Sequence, residues 1–106
     1  MRIRIFDNAK LDLVDGYSFY EQQESGVGQY FLDSLYSDID SLALYAGVHS
    51  KKSECFYWAL SKRFPYAIYY TLADDLVSVH AVLDCRQDPE RIEERLIQER
   101  TRRWSQ

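Results

Sequence analysis

Residues 62–72 read KRFPYAIYYTL. Two cations and a proline precede a run dense in tyrosine, and two readings compete: a basic, aromatic surface for nucleic acid, or the entrance to a core strand. In an extended chain successive side chains point to opposite faces. Tyr66, Ile68, Tyr70 and Leu72 therefore share one face, and Ala67, Tyr69 and Thr71 the other. By parity Tyr66 and Tyr70 belong to the core, and Tyr69 points the other way. Pro65 stands at the strand entrance, where its missing N–H and fixed φ do least harm. Only Lys62 and Arg63 remain as candidates for a basic patch.

Working outward, Ser53–Leu60 and Leu76–Asp84 flank this strand as two further β-rich runs, with Asp74-Asp75 as the tight turn before the last. Three such runs joined by short turns predict an antiparallel meander over 53–84. Giving the larger sets to one face places Phe56, Trp58 and Leu60, then Val77, Val79, Ala81 and Leu83, beside Tyr66, Ile68, Tyr70 and Leu72. Tyr57, Ala59, Ser78, His80 and Val82 fall on the reverse face, which is expected to be open.

Ahead of the meander the period changes. Arg2-Ile3-Arg4-Ile5-Phe6 alternates as a short strand over 1–6, and Asp7 is placed to cap a helix whose stripe holds Ala9, Leu13, Tyr17 and Tyr20. Gly16 inside that helix costs about 1 kcal/mol relative to alanine, so close packing against another element is expected there. Ser25-Gly26-Val27-Gly28 breaks the pattern, and Phe31, Leu35, Ile39 and Leu42 mark a second helix, giving an antiparallel hairpin over 7–46. After a loop and the meander, Asp88-Pro89-Glu90 begins a third helix over 88–103: a cap, a proline at the first helical position, and an acid favourable to the dipole. That helix is charged nearly all round, with Ile92, Leu96 and Trp104 as docking residues. The 106 residues make one α+β domain, β-α-α-β-β-β-α, with the hairpin on one face of the sheet.

The net charge of −4 disfavours a whole-surface nucleic-acid binder. Its distribution is uneven. Asp7 to Asp40 holds eight acids against Lys10, a net of −7, whereas Lys51, Lys52, Glu54, Lys62 and Arg63 sum to +3. A local basic patch is compatible with that split. No apolar run approaches the ~20 residues of a membrane span, and no signal-peptide block follows Met1, so a cytoplasmic protein without membrane association is expected. Cys55 and Cys85 lack zinc spacing and read as thiols that act as small apolar fillers.

Motifs that carry chemistry are absent: no GxSxG elbow, HExxH pair, Walker loop or GxGxxG turn. His80 alone among the histidines falls in a predicted strand, on the reverse face, where it could serve as a general base; the alternative is a structural or solvated imidazole. Asp74, Asp75 and Asp84 read as solvated turn acids rather than a metal site. Arg86, just past the last strand, is placed for binding, with Arg63 and the C-terminal arginines as neighbours, or for ion pairs with Glu90, Glu93 or Glu94.

Ala9, Asp12 and Leu13, then YEQQESGVGQYFLDSL, KRFPYAIYY and VHAVLDCRQDPERIEER occur in an order and spacing that resembles the RelE/ParE family of toxins from type II toxin–antitoxin systems, also called plasmid stabilisation proteins. The resemblance covers nearly the whole chain and implies a helical hairpin on a twisted antiparallel sheet. RelE-like members cut messenger RNA on the ribosome with lysines and arginines. The positions matching their lysines hold Tyr57 and Ala59, and the late aromatic hydroxyl is replaced near Ile92, while the arginine survives as Arg86. ParE-like members poison DNA gyrase through protein contacts, and FPYAIYY with the following arginine and Asp-Pro is closer to that branch.

The resemblance thus implies a growth-inhibiting ParE-like toxin that needs no cofactor or metal and is neutralised by a cognate antitoxin. Target or antitoxin binding is assigned to Lys62, Arg63, Tyr69, His80, Arg86, Arg91 and Arg95. The competing reading is a metal-independent endoribonuclease using Arg86, Arg63, His80 and Tyr57, with ribosome and mRNA as partners. A third is a non-toxic remnant that still binds antitoxin. An exposed edge leaves room for a homodimer.

Overall fold

The structure, a computed structural model, describes residues 1–52 and 55–105, and the side chains of all of these but Lys52, Arg103, Trp104 and Ser105. The expected start of the meander at Ser53 and docking by Trp104 lie outside the described residues. In chain order the elements are β1 (Arg2–Ile5), α1 (Asp7–Gln23), α2 (Val27–Asp40), a short α3 (Leu42–Tyr45), β2 (Lys51–Lys52), β3 (Phe56–Leu60), β4 (Tyr66–Ala73), β5 (Leu76–Asp84) and α4 (Pro89–Ser105). One sheet runs in the order β1-β5-β4-β3-β2. The meander is antiparallel, as its turns predict. β1 joins β5 in parallel, Ile3 beside Val77 and Ile5 beside Val79, so the sheet as a whole is mixed.

Local chemistry sets the helical hairpin. Asp7 is the first residue of α1 rather than its cap; Phe6 takes the N-cap position with no side-chain cap bond, and Asp7 acts on the helix dipole instead. At the turn between the helices Gly26 adopts φ 93°, the left-handed region. There Glu21, from the last turns of α1, caps α2 by accepting the Gly26 and Gly28 N–H groups at 3.1 and 3.0 Å. Gly16 is the expected close approach: a Cβ there would enter the ring of Phe31, which is fully buried.

The hairpin covers a core of Ala9, Leu13, Phe31, Leu35, Ile39 and Leu42 against Ala59, Tyr66, Ile68, Tyr70, Val77, Val79 and Val82. The β4 parity is as expected, but two strands differ. Cross-strand partners share a face, and β3 pairs Tyr57 with Tyr70 and Ala59 with Ile68. Tyr57 and Ala59 therefore face the hairpin, and Phe56 and Trp58 the reverse side. On β5 the register steps from Tyr69 opposite Ala81 to Tyr70 opposite Val79, leaving His80 as an extra residue. Such a bulge inverts the alternation beyond it, so Val82 faces the hairpin while Ala81 and Leu83 face away.

The reverse face is not open. α4 lays Ile92 and Leu96 over Phe56, Ala67, Tyr69, Ala81 and Leu83 in a second core. Its charged residues are part of the anchorage. Arg95 donates to both Asp12 oxygens at 2.7 and 2.8 Å and to Glu99 Oε2 at 2.6 Å. Asn8 Nδ2 donates to the same glutamate at 3.3 Å, and Asp12 Oδ2 also accepts the Val82 N–H at 3.0 Å. Burial, the largest influence, holds the Asp12 carboxyl above its usual range against the opposing bonds from Arg95 and Val82. Burial is also the largest influence at Arg95 and works against its charge, yet the guanidinium ends above its usual value. The two ends differ because Arg95 has two anionic neighbours, whereas Asp12 has one cation and a repelling Glu99.

Gly16→Ala is expected to lower stability by about 1 kcal/mol or more, since overpacking against Phe31 outweighs a helix-propensity gain of about 1 kcal/mol. Chemical denaturation checks it, and an unchanged or raised midpoint contradicts the close packing. Arg95→Ala should cost about 3 kcal/mol near pH 7, because it strands Asp12 and Glu99, whose side chains are 11% and 5% exposed. Loss of the cation raises the folded-state Asp12 carboxyl further. A raised acid contributes stability below its unfolded value that is lost as pH rises through the folded one. The deficit relative to the parent should therefore shrink between about pH 7 and about pH 4.5, and a constant difference in unfolding free energy contradicts the assignment.

Candidate functional site

With the reverse face covered by α4, a candidate surface for a partner lies at the β3 edge. Asp38, near the end of α2, accepts the Ser61 hydroxyl at 2.6 Å and the Lys62 N–H at 3.2 Å, which fastens the β3–β4 turn to the helical layer. α3 and the loop over residues 46–50 then run alongside β3. Among the described residues β2 pairs with Phe56 and Tyr57, and Trp58 N–H reaches Ser50 O at 3.0 Å. Along Ala59 and Leu60 no described strand covers the outer edge. Between edge and loop opens a cavity of about 320 Å³. Leu42, Ala59 and Ile68 form its buried floor, Tyr45, Val48 and Leu60 its rim, and Asp38, Ser41, His49 and Lys62 its polar groups. Val48 is 76% exposed and Leu60 61%. Leu44 and Tyr45 on α3 are exposed as well, so exposed apolar side chains border the groove.

The neighbouring turn supplies positive charge. Lys62 and Arg63 are exposed, and Phe64 is held among Tyr20, Tyr30 and Phe31 with ring centroids 4.9, 5.5 and 5.1 Å away. Arg86 stands at the same end of the sheet, since Cys85 N–H bonds Pro65 O at 2.8 Å. Its guanidinium grips Asp84 with two bonds, 3.0 and 2.8 Å, and lies 3.4 Å from the Tyr20 hydroxyl. The ion pair expected with Glu90, Glu93 or Glu94 is thus made with Asp84. Hydrogen bonding from Arg86, the largest influence, holds the Asp84 carboxyl below its usual range despite partial burial.

The residues named for the ribonuclease reading do not converge. Tyr57 faces the hairpin, stacked on Tyr70 at 5.2 Å. His80 is 4% exposed on the reverse face, its ring 4.7 Å from Phe6 and 5.1 Å from Phe56 and its Nε2 2.9 Å from the Thr71 hydroxyl. Tyr69, also expected on an open face, is 3% exposed beneath α4. Burial pushes the Tyr66 and Tyr69 hydroxyls up to about 12, with Asp84 adding to the shift at Tyr66 and Cys85 at Tyr69. At neutral pH both remain proton donors, unsuited to act as bases.

Arg95 is engaged with Asp12 and Glu99, whereas Arg91 stays exposed on α4. Cys55 packs beside the second core, while Cys85 is exposed and so does not fill a core. Among the described residues no three His, Cys, Asp or Glu side chains gather as a metal requires, and no helix is long and apolar enough to cross a membrane. Sequence reasoning missed Tyr45, Val48, His49 and Leu60. The legible signal was the stretch LALYAGVH, residues 42–49, whose apolar side chains continue past the helical stripe into a loop.

No family model matches the sequence, and no curated protein does. Among solved structures, a chain titled "Chromosomal ParDE TA system from P. aeruginosa" is similar, with 12% identity, a TM-score of 0.71, and coverage of 77% of this chain and 92% of that one. At that identity the likeness is one of fold, and this chain has the fold of a chain from a ParDE toxin–antitoxin system.

Proposed function

We propose that the protein is the toxin of a type II toxin–antitoxin pair and acts by binding in the ParE manner, with DNA gyrase as the target and a cognate antitoxin as its inhibitor. The observation that carries the reading is the shared fold across 92% of the ParDE-system chain. The separation of Tyr57 and His80 to opposite sides of the sheet supports binding over RNA cleavage. The antitoxin segment is assigned to the β3-edge groove. Its edge along Ala59 and Leu60, which no described strand covers, suits an added strand, its apolar rim suits alternate side chains, and Lys51 and Lys62 favour an acidic segment.

Tightly controlled expression in growing bacteria tests the target. Filamentation and DNA damage without early transcript loss are expected. Rapid translation arrest with cleaved transcripts would instead establish the ribonuclease reading, and unchanged growth the non-toxic remnant. For the groove, Leu60→Glu and Val48→Asp should each weaken binding of the cognate antitoxin by about tenfold or more, since each sets an acid on an apolar contact. Both side chains are exposed, so the circular dichroism spectrum should not change. Unaltered affinity would move the antitoxin to another surface.

A further inference from the structure

A buried hydroxyl ties the groove's outer wall to β4. Tyr70 is fully buried, yet its hydroxyl accepts the Gly47 N–H at 2.9 Å and lies 2.6 Å from His49 Nδ1. Burial, chiefly, raises its ionisation above the usual 10, against the Gly47 bond, so at neutral pH it carries a proton that needs an acceptor. Gly47 N–H can only donate. Among the described partners of Tyr70, His49 Nδ1 is the one that can accept it, in the tautomer that carries its own proton on Nε2.

We propose that His49 and Tyr70 form a pH-sensitive latch: neutral His49 holds the 46–50 loop against β4, and protonation at Nδ1 releases it. A proton on Nδ1 sets donor against donor. The hydroxyl could then accept from the imidazolium, but its own proton would be left without an acceptor among the described residues. Histidine is the side chain that ordinarily changes charge between about pH 5 and pH 8.

The charged and titratable groups around the ring come from each neighbouring element. Asp38 of α2 and Lys62 of the β3–β4 turn line the same cavity, as does Tyr45 of α3. Tyr57 of β3 stacks on Tyr70, with Lys51 of β2 lying 5.0 Å over the Tyr57 ring. Among the described residues the carboxylate lining this cavity is already engaged, since Asp38 Oδ2 accepts from Ser61 and the Lys62 amide. Gly47 at φ 94° gives the loop its bend. Release would carry away Val48 on the groove's rim and Ser50, whose carbonyl holds the Trp58 amide, baring more of the β3 edge.

The functional consequence, gating of a partner groove, rests on the reading above; the latch itself is measurable without any partner. Amide hydrogen exchange at Gly47 and Trp58, corrected for intrinsic rates, is compared at about pH 7.5 and about pH 5.5. Protection in the parent should fall about tenfold in acid, the equivalent of one buried hydrogen bond. In His49→Asn, which keeps a neutral acceptor near the Nδ1 position, it should not change with pH. In Tyr70→Phe, which keeps the buried ring, it should be low at both values. Equal protection of the parent at the two pH values overturns the proposal, as does acid loosening of His49→Asn that matches the parent. Failure of the toxin reading would leave these exchange results standing, and failure of the latch would leave partner binding untouched.

Discussion

The carboxylate of Asp12 holds three layers in place. β1 ends at Ile5 beside Val79, so the outer edge of β5 loses its strand partner just before the bulge. An amide left bare there would carry the cost of an unmade hydrogen bond. Asp12 reaches from α1 to accept the Val82 N–H and, with the same two oxygens, receives Arg95 from α4. A buried ion pair of this kind adds little net energy over apolar residues of equal volume. What it contributes is position, fixing where a helix with few apolar residues lies on the sheet.

That position decides which surface is left for a partner. Had α4 stood off the sheet, the reverse face would be the natural binding platform, with Tyr69 and His80 at its centre. Instead α4 closes that face, and the exposed apolar side chains of α3, the 46–50 loop and β3 stand at the edge. The acidic helical hairpin and the basic β3–β4 turn keep the charge separation evident from composition, and Lys62 of that turn borders the groove rather than an open sheet.

Much of this was legible in the residues. The order of the long elements, without the short α3 and β2, the β4 parity and the close approach at Gly16 follow from alternation, turn chemistry and one misplaced glycine. The β3 parity was not, because side-chain volume suggested Phe56 and Trp58 for the main core, whereas only the register with β4 places the small Ala59 there. The bulge at His80 leaves no mark in an apolar run such as VSVHAVL, and everything beyond it changes face. α4 read as charged nearly all round and Arg95 as a binding residue, whereas Arg95 and Glu99 anchor the helix. Their partners, Asn8 and Asp12, lie more than 80 residues earlier in the chain. Asp12 was visible as part of a family-like motif without a stated task.

The parallel pairing of β1 with β5 has a temporal side. β1 leaves the ribosome well ahead of its partner β5, with α1 to α3 and β2 to β4 made between them. Until residues 76–79 emerge, Ile3 and Ile5 have no neighbour to pair with. Any nascent chain or truncation product ending short of that point therefore holds an incomplete sheet.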